Sequence, residues 1–219
     1  MQRAKEAWGD ESAFTKSLRQ PLAVLDLCAG VGAFGAALAE GSGGALQVTH
    51  AIEIAPSAAR TIEANHPGVT VYNQCVNTML RYAVHTHDRK RVDAPPVQLW
   101  DGATRVPDPP RPGEVQVIAA GFPCQSFSGL NRYKKPGDLR NGLFLNVLSW
   151  VAHLKPEYVF LENVRGFLEH KLLDGTGGGG LIAGGALKLC VRTLIELGYQ
   201  VRYGLLQAAH YGTPQDRVR

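Results

Sequence analysis

The stretch that decides the fold is Leu22-Ala23-Val24-Leu25-Asp26-Leu27-Cys28-Ala29-Gly30-Val31-Gly32-Ala33-Phe34-Gly35-Ala36-Ala37-Leu38. Its first six residues are an apolar run of buried-strand type. Gly30, Gly32 and Gly35 follow at once with G-x-G-x-x-G spacing, and a helical pattern begins behind them. Glycines in such a turn adopt backbone angles that other residues avoid, and they let a ligand approach the main chain. The helix behind the turn offers unpaired N–H groups at its start. Glycine-rich turns also serve plain packing, so the motif is weak alone. Its place between a strand and a helix raises its value. It predicts an α/β fold of Rossmann-like type, a mostly parallel sheet with helices on both faces.

Working outward, Gln47-Val48-Thr49-His50-Ala51-Ile52 reads as a second strand, and Glu53 ends it 18 residues after Gly35. An acid at that point can accept hydrogen bonds from both hydroxyls of a ribose. The bland alternative is a solvated charge near a helix start. Pro56 to Asn65 reads as a helix stopped by Pro67-Gly68. Val69 to Tyr72 is a third short strand, and Asn73 to Asn77 follow at its carboxyl end. Thr78 to Arg89 has a helical pattern. His85 and His87 lie two apart, do not share a helix face, and read as surface residues rather than metal ligands. Residues 93–113, rich in Pro, read as a surface loop with a short strand near Val97 to Trp100.

Val115-Gln116-Val117-Ile118-Ala119 is another strand, leading into Ala120-Gly121-Phe122-Pro123-Cys124-Gln125-Ser126-Phe127-Ser128. Gly121 and Pro123 make the exit tight, so Cys124 sits just past the strand end, where ligands and catalytic groups collect in open α/β sheets. A thiol there is placed like a nucleophile; most free cysteines are instead small buried hydrophobes. The basic loop from Asn131 to Arg140 can hold phosphates or close over a site, or simply be solvated. Gly142 to Leu154 reads as an apolar helix, and Tyr158 to Leu161 as a strand ending in Glu162-Asn163-Val164. An acid directly after a buried strand costs free energy unless something uses it. Partial burial there would raise its pKa toward the range where it can donate a proton, whereas a pairing with Arg165 beside it would hold it ionised. Residues 174–185 read as a glycine-dense insertion and Ala186 to Leu197 as an amphipathic helix ended by Gly198. Tyr199 to Gln207 alternates as a strand. Gln215, Arg217 and Arg219 then share one face of an extended segment, and arginine forks suit phosphate or a polarised carbonyl.

Bulk properties narrow the classes. The chain has 219 residues, 45% hydrophobic content, 19% charged residues and a net charge of +4, enough for one sizeable α/β domain and compatible with a nucleic-acid partner. The four cysteines, Cys28, Cys75, Cys124 and Cys190, are widely spaced and suggest neither a zinc site nor a disulfide framework. No run is long enough to span a membrane, and residues 1–20 read as a polar leader before a domain over 21–219.

Four segments in order resemble the cytosine-5 DNA methyltransferases. They are Asp26 to Gly32, Gly121-Phe122-Pro123-Cys124-Gln125, Glu162-Asn163-Val164 and Gln215-Asp216-Arg217-Val218-Arg219. Longer stretches, Phe127 to Arg132, Leu161 to Phe167 and Gly198 to Gly212, are similar to the eukaryotic maintenance type. The resemblance implies the S-adenosylmethionine-dependent methyltransferase fold and methyl transfer to carbon 5 of a cytosine flipped out of double-stranded DNA. It implies Cys124 as nucleophile, with Glu162, Asn163, Gln215, Arg217 and Arg219 around the base. Gln125, Ser128 and Arg132 would contact substrate. S-adenosylmethionine would lie along Asp26, Gly30, Gly32, Phe34 and Gly35, with Glu53 on its ribose and Ile54 also in the cofactor site. Cys75, Asn77, Pro123 and Leu143 would border it. The sequence departs from the family at Cys75-Val76, where an acid near adenine is usual. It also stops before a target-recognition region, which suggests a truncated core. No metal or membrane is implied, and the nucleus is the expected compartment. Alternatives are an RNA cytosine methyltransferase and a catalytically silent binding module.

Overall fold

The computed structural model describes residues 20–88, 94–123, 142–173 and 180–219. The apolar run opens the sheet as β1 (Leu22–Leu27), and α1 (Ala33–Gly41) follows the glycine turn. Then come β2 (Leu46–Ile52), α2 (Pro56–Asn65), β3 (Thr70–Tyr72) and α3 (Val76–Asp88). The chain continues through β4 (Val117–Ala120), α4 (Leu143–Leu154) and β5 (Tyr158–Leu161). These strands form a five-stranded sheet in the order β3-β2-β1-β4-β5. The pairings β1 with β2, β1 with β4 and β2 with β3 are all parallel. The order reverses between β1 and β4, and such a switch point opens a crevice outside the strand ends.

Register turns that topology into a site. Leu27 lies opposite both Ile52 and Ala120, and Ile52 lies opposite Tyr72. The next residues along the chain are therefore neighbours on one carboxyl edge: Asn73, Glu53, Cys28 and Gly121. One irregularity, between Val24 and Leu25, leaves Thr49 without a ladder partner, and its hydroxyl donates to Val24 O at 3.3 Å. A bulge of this kind raises local twist without moving the strand end.

The chain divides into two compact units, one running to Gly121 and taking back His153–Phe160, the other holding Phe122–Ala152 and Leu161–Arg219. In the first, Val24, Val117 and Ala119 form a buried cluster against which Phe34, Leu38 and Val48 pack, while Ala29, Ala51, Ala59, Ile62 and Val71 form a second. In the second, α5 (Gly166–Glu169), the antiparallel pair β6 (Leu172–Leu173) and β7 (Leu181–Ile182), and α6 (Gly185–Glu196) precede a 3-10 turn at Ala208–Tyr211. The described part of the glycine-dense insertion thus includes a strand. Gly185 allows α6 to approach β6, since a Cβ there would meet the Leu172 backbone nitrogen at 2.8 Å.

Two expectations need correction. Tyr199 to Gln207 forms no continuous strand; only its end pairs, Gln207 in an isolated antiparallel bridge to Val218 and Leu206 through two backbone bonds with Arg219. Alternation before Leu206 had no neighbouring strand to satisfy its main chain. His87 is half-buried rather than superficial. Its Nδ1 lies 2.9 Å from His153 Nε2, with the rings stacked at 5.1 Å. Burial, with His87 second, lowers the pKa of His153 from its usual value. Among the described residues no group of three or more His, Cys, Asp or Glu could hold a metal ion, and no helix is long and apolar enough to cross a membrane.

Ile118, fully buried on the interior strand β4, tests how far the sheet depends on this core. Ile118→Ala is expected to cost about 2–5 kcal/mol, read as a lower urea midpoint at unchanged slope.

Candidate functional site

The glycine turn is built from backbone outward. Cys28 enters it with φ 57°, a left-handed value that is strained for a non-glycine residue. Ala29 N–H then donates to Ile52 O at 3.1 Å, which ties the turn to the end of β2. Gly30 and Gly32 have φ 58° and 85°, where only glycine is free of a Cβ penalty. A Cβ on Gly30 would meet nothing within 4 Å, so the turn faces open space. Gly32 caps α1, its carbonyl accepting from Ala36 N–H at 3.0 Å.

Glu53 closes this edge. Its Oε2 accepts from Gly30 N–H at 2.8 Å and its Oε1 from Ala55 N–H at 2.8 Å. Each oxygen keeps a second lone pair, which fits the two hydroxyls of a ribose. Ile54 beside it is 57% exposed and Val31 on the turn 53%, leaving apolar surface on which an adenine can rest. Cys75 and Asn77 follow at the end of β3; Asn77 is exposed, and Cys75 N–H is taken by Gln74 Oε1 at 2.7 Å. Burial, then Glu53, Asp26 and Cys75, push the Cys28 thiol up to about 12. That environment disfavours a thiolate at Cys28.

Asp26 works from below. Its Oδ2 accepts from Gly35 N–H at 3.2 Å, and its buried Oδ1 has no hydrogen-bond partner. A Cβ on Gly35 would sit 2.8 Å from that Oδ2 and 2.8 Å from Val48 Cγ2. The glycine is required because the carboxyl group occupies the space. A cavity of about 220 Å³ between α1, α2 and β2 is lined in part by Asp26, Gly32, Val48, Ile62 and His66. Phe34 points its packing toward the core cluster of Val24, Val117 and Ala119.

In the second unit, Phe167 meets Phe122 and Phe144 edge to face, both at 5.7 Å between ring centres. The trio is buried and anchors the backbone just before Pro123. Pro123 and Leu143 are half-buried. Cys124, Gln125, Ser128 and Arg132 lie outside the described residues. Glu162 is described, and its Oε1 lies 2.7 Å from Arg219 Nε. Its expected partner Arg165 instead reaches Glu169 at 3.8 Å, one helical turn on. Asn163 turns Oδ1 onto Val164 N–H at 2.8 Å.

The carrier of Arg219 is a short antiparallel pairing. Arg219 N–H donates to Leu206 O at 2.9 Å, Leu206 N–H returns to Arg219 O at 2.8 Å, and Ala208 N–H donates to Arg217 O at 2.9 Å. Gln207 clamps the pair, accepting from Arg217 N–H at 2.9 Å through Oε1 and donating to Asp216 through Nε2. Sequence reading missed Gln207 as a support, because it sat inside an assumed strand. Arg217 and Gln215 are exposed, so the side chains of the segment do not all reach Glu162.

With that geometry in hand, the family model for C-5 cytosine-specific DNA methylases matches residues 22–219. The chain belongs to that family. It is 34% identical over 202 residues to "DNA (cytosine-5)-methyltransferase PliMCI" of Paracentrotus lividus, covering 90% of this chain and 11% of that protein. It is 33% identical over 202 residues to "DNA (cytosine-5)-methyltransferase 1" of Mus musculus, covering 90% of this chain and 11% of that one. The chain thus spans about a tenth of the length of these curated relatives. Among solved structures, the S. pombe Dnmt2 methyltransferase superposes with a TM-score of 0.57 at 21% identity, covering 90% of this chain and 46% of that one. This likeness shows the fold of S-adenosylmethionine-dependent methyltransferases. The family's cofactor is S-adenosylmethionine, and the open face at Gly30, the spare lone pairs of Glu53 and the exposed Ile54 fit it.

Burial is the main cause that raises Asp26 to about 7 from its ordinary 3.8, with Glu53 adding to it and the Gly35 bond opposing it. The fold therefore favours the neutral carboxyl. Its contribution is complete below the unfolded value and is lost as pH climbs through the folded value. The native chain should lose stability from about pH 4 to pH 7 on this account. Asp26→Asn should remove that slope, so chemical denaturation across the window should show the two proteins diverging as pH rises.

Proposed function

We propose that this chain is the catalytic core of an enzyme that methylates carbon 5 of cytosine in double-stranded DNA, within the nucleus. Family membership supports the reaction class. The observation that carries the chemistry is the 2.7 Å contact between Glu162 and Arg219. It sets a carboxyl group beside a guanidinium directly after β5, and a carboxyl group can both accept from the exocyclic amine of cytosine and donate to its ring nitrogen 3.

The target base must leave the stack to reach such groups. Glu162 accepts from the exocyclic amine and passes its carboxyl proton to ring nitrogen 3 as carbon 6 is attacked, and Arg219 fixes the base against it. Asn163 shapes the pocket, Arg217 meets the base or its phosphate, and Gln215 braces the segment. Gln125, Ser128 and Arg132 contact the DNA. The Cys124 thiolate adds to carbon 6, a C–S bond forms, and carbon 5 becomes electron-rich. Glu162 offsets charge as the ring is attacked. Glu53, Gly30 and Ile54, with Gly32, Gly35, Cys75 and Asn77 beside them, would hold S-adenosylmethionine, which would supply an electrophilic methyl group. Loss of the carbon-5 proton and departure of the Cys124 sulfur restore the aromatic ring and free the enzyme.

Incubation with S-adenosylmethionine and duplex DNA carrying 5-fluorocytosine should give a denaturation-resistant adduct at Cys124. Cys124→Ser should abolish it while leaving cofactor affinity unchanged. An adduct with RNA alone would reassign the substrate, and no adduct with either would leave a silent module. Glu162→Gln should keep cofactor affinity but slow methyl transfer by about a hundredfold or more, measured in single-turnover kinetics.

A further inference from the structure

The Pro-rich segment after α3 is a clip on the sheet edge. Gln98 N–H donates to Thr104 O at 2.7 Å, and Val106 N–H to Pro96 O at 2.9 Å, closing a narrow turn. Asp101 pins its tip, its Oδ1 accepting from Ala103 N–H at 2.9 Å and Thr104 N–H at 3.0 Å. The clip grips the exit of β3. Gln98 Oε1 accepts from Asn73 N–H at 2.6 Å, while Gln98 Nε2 donates to Val71 O at 3.1 Å. Leu99 N–H donates to Asn73 O at 2.8 Å, and Gln74 Nε2 to Val97 O at 2.9 Å. Gln98 is thus a side-chain amide acting as the missing neighbour strand. It is 3% exposed, which is unusual for glutamine in a segment of loop composition.

Asn73 passes this grip inward. It is fully buried, and its Nδ2 donates both to Glu53 O at 2.8 Å and to Ile54 O at 3.1 Å. Glu53 N–H is held in turn by Tyr72 O at 3.1 Å. The main chain of Glu53 is therefore fixed on both sides by the β3 exit. Its carboxylate, with one oxygen on Gly30 and the other on Ala55, has its direction set by that backbone. Pre-organised acceptors bind without an ordering cost at the moment of binding.

We propose that Gln98 and Asn73 form a positioning relay through which the clip at residues 94–106 sets the grip of Glu53 and Ile54 on the cofactor. The inference rests on the proposed function, because it takes S-adenosylmethionine as the ligand of that edge. Neither residue touches the cofactor; both act through Glu53.

The test is a double-mutant cycle on cofactor affinity. Calorimetric titration of S-adenosylmethionine is done on the native protein, Gln98→Met, Asn73→Ala and Glu53→Ala, and on each relay variant combined with Glu53→Ala. Circular dichroism checks that each is folded at the temperature used. Gln98→Met and Asn73→Ala should each weaken binding about threefold to tenfold. That loss should vanish when Glu53 is already alanine. Gln98→Glu, which keeps the acceptor for Asn73 N–H, should recover part of it and serves if Asn73→Ala does not fold. Equal losses with and without Glu53, or none in either variant, overturn the relay while leaving the proposed function intact. A native protein that binds no S-adenosylmethionine overturns the proposed function and the relay with it.

Discussion

The bond from Gly30 N–H to the Glu53 carboxylate holds the glycine turn and the second strand end as one piece. A carboxylate that is only 8% exposed needs donors to offset its lost hydration. It finds them on Gly30 and Ala55, at 2.8 Å each. Those two N–H groups belong to the start of two different crossovers, one after β1 and one after β2. One side chain therefore ties both returning loops to a single edge. The parallel register brings Leu27, Ile52 and Tyr72 level, and without it Glu53 would be one step off the turn.

Beneath that edge the limit is space. Asp26 and Val48 leave no room for a Cβ on Gly35, so the third glycine of the motif answers a packing demand. The first faces open space, since among the described residues nothing lies within 4 Å of a Cβ on Gly30. The same three-glycine spacing thus combines two physical settings, and only atoms around each position separate them. The cost of the arrangement is a nearly buried acid, raised to about 7 chiefly by its burial.

The second unit holds its acid by different means. Its acid is not locked by backbone N–H groups but by a guanidinium delivered from the far end of the chain. Arg219 arrives at Glu162 because a strand-like pairing with Leu206 and the Gln207 clamp carry it there. Arg165, the nearer cation in sequence, lies at the start of α5 and pairs along its own helix. Nearness in sequence misled because helix geometry places residues four apart on one face. The alternating stretch from Tyr199 misled in a related way: period-two patterning makes a strand only where another strand supplies hydrogen bonds.

Local sequence alone determined the succession of strands and helices along the chain as far as β5, the glycine turn, the acid after β2 and the acid after β5. Each is marked by an abrupt change from an apolar run to glycine, proline or charge, and such changes are readable without a partner. The four motif segments were legible for the same reason. Tertiary structure decided what those residues touch. It chose Arg219 over Arg165 for Glu162 and put Gln98 on the exit of β3. It stacked His87 on His153 and filled the space above Gly35 with a carboxyl group. All of these are contacts between residues distant in sequence. Their existence depends on strand order and register, which pattern and propensity within one segment do not encode.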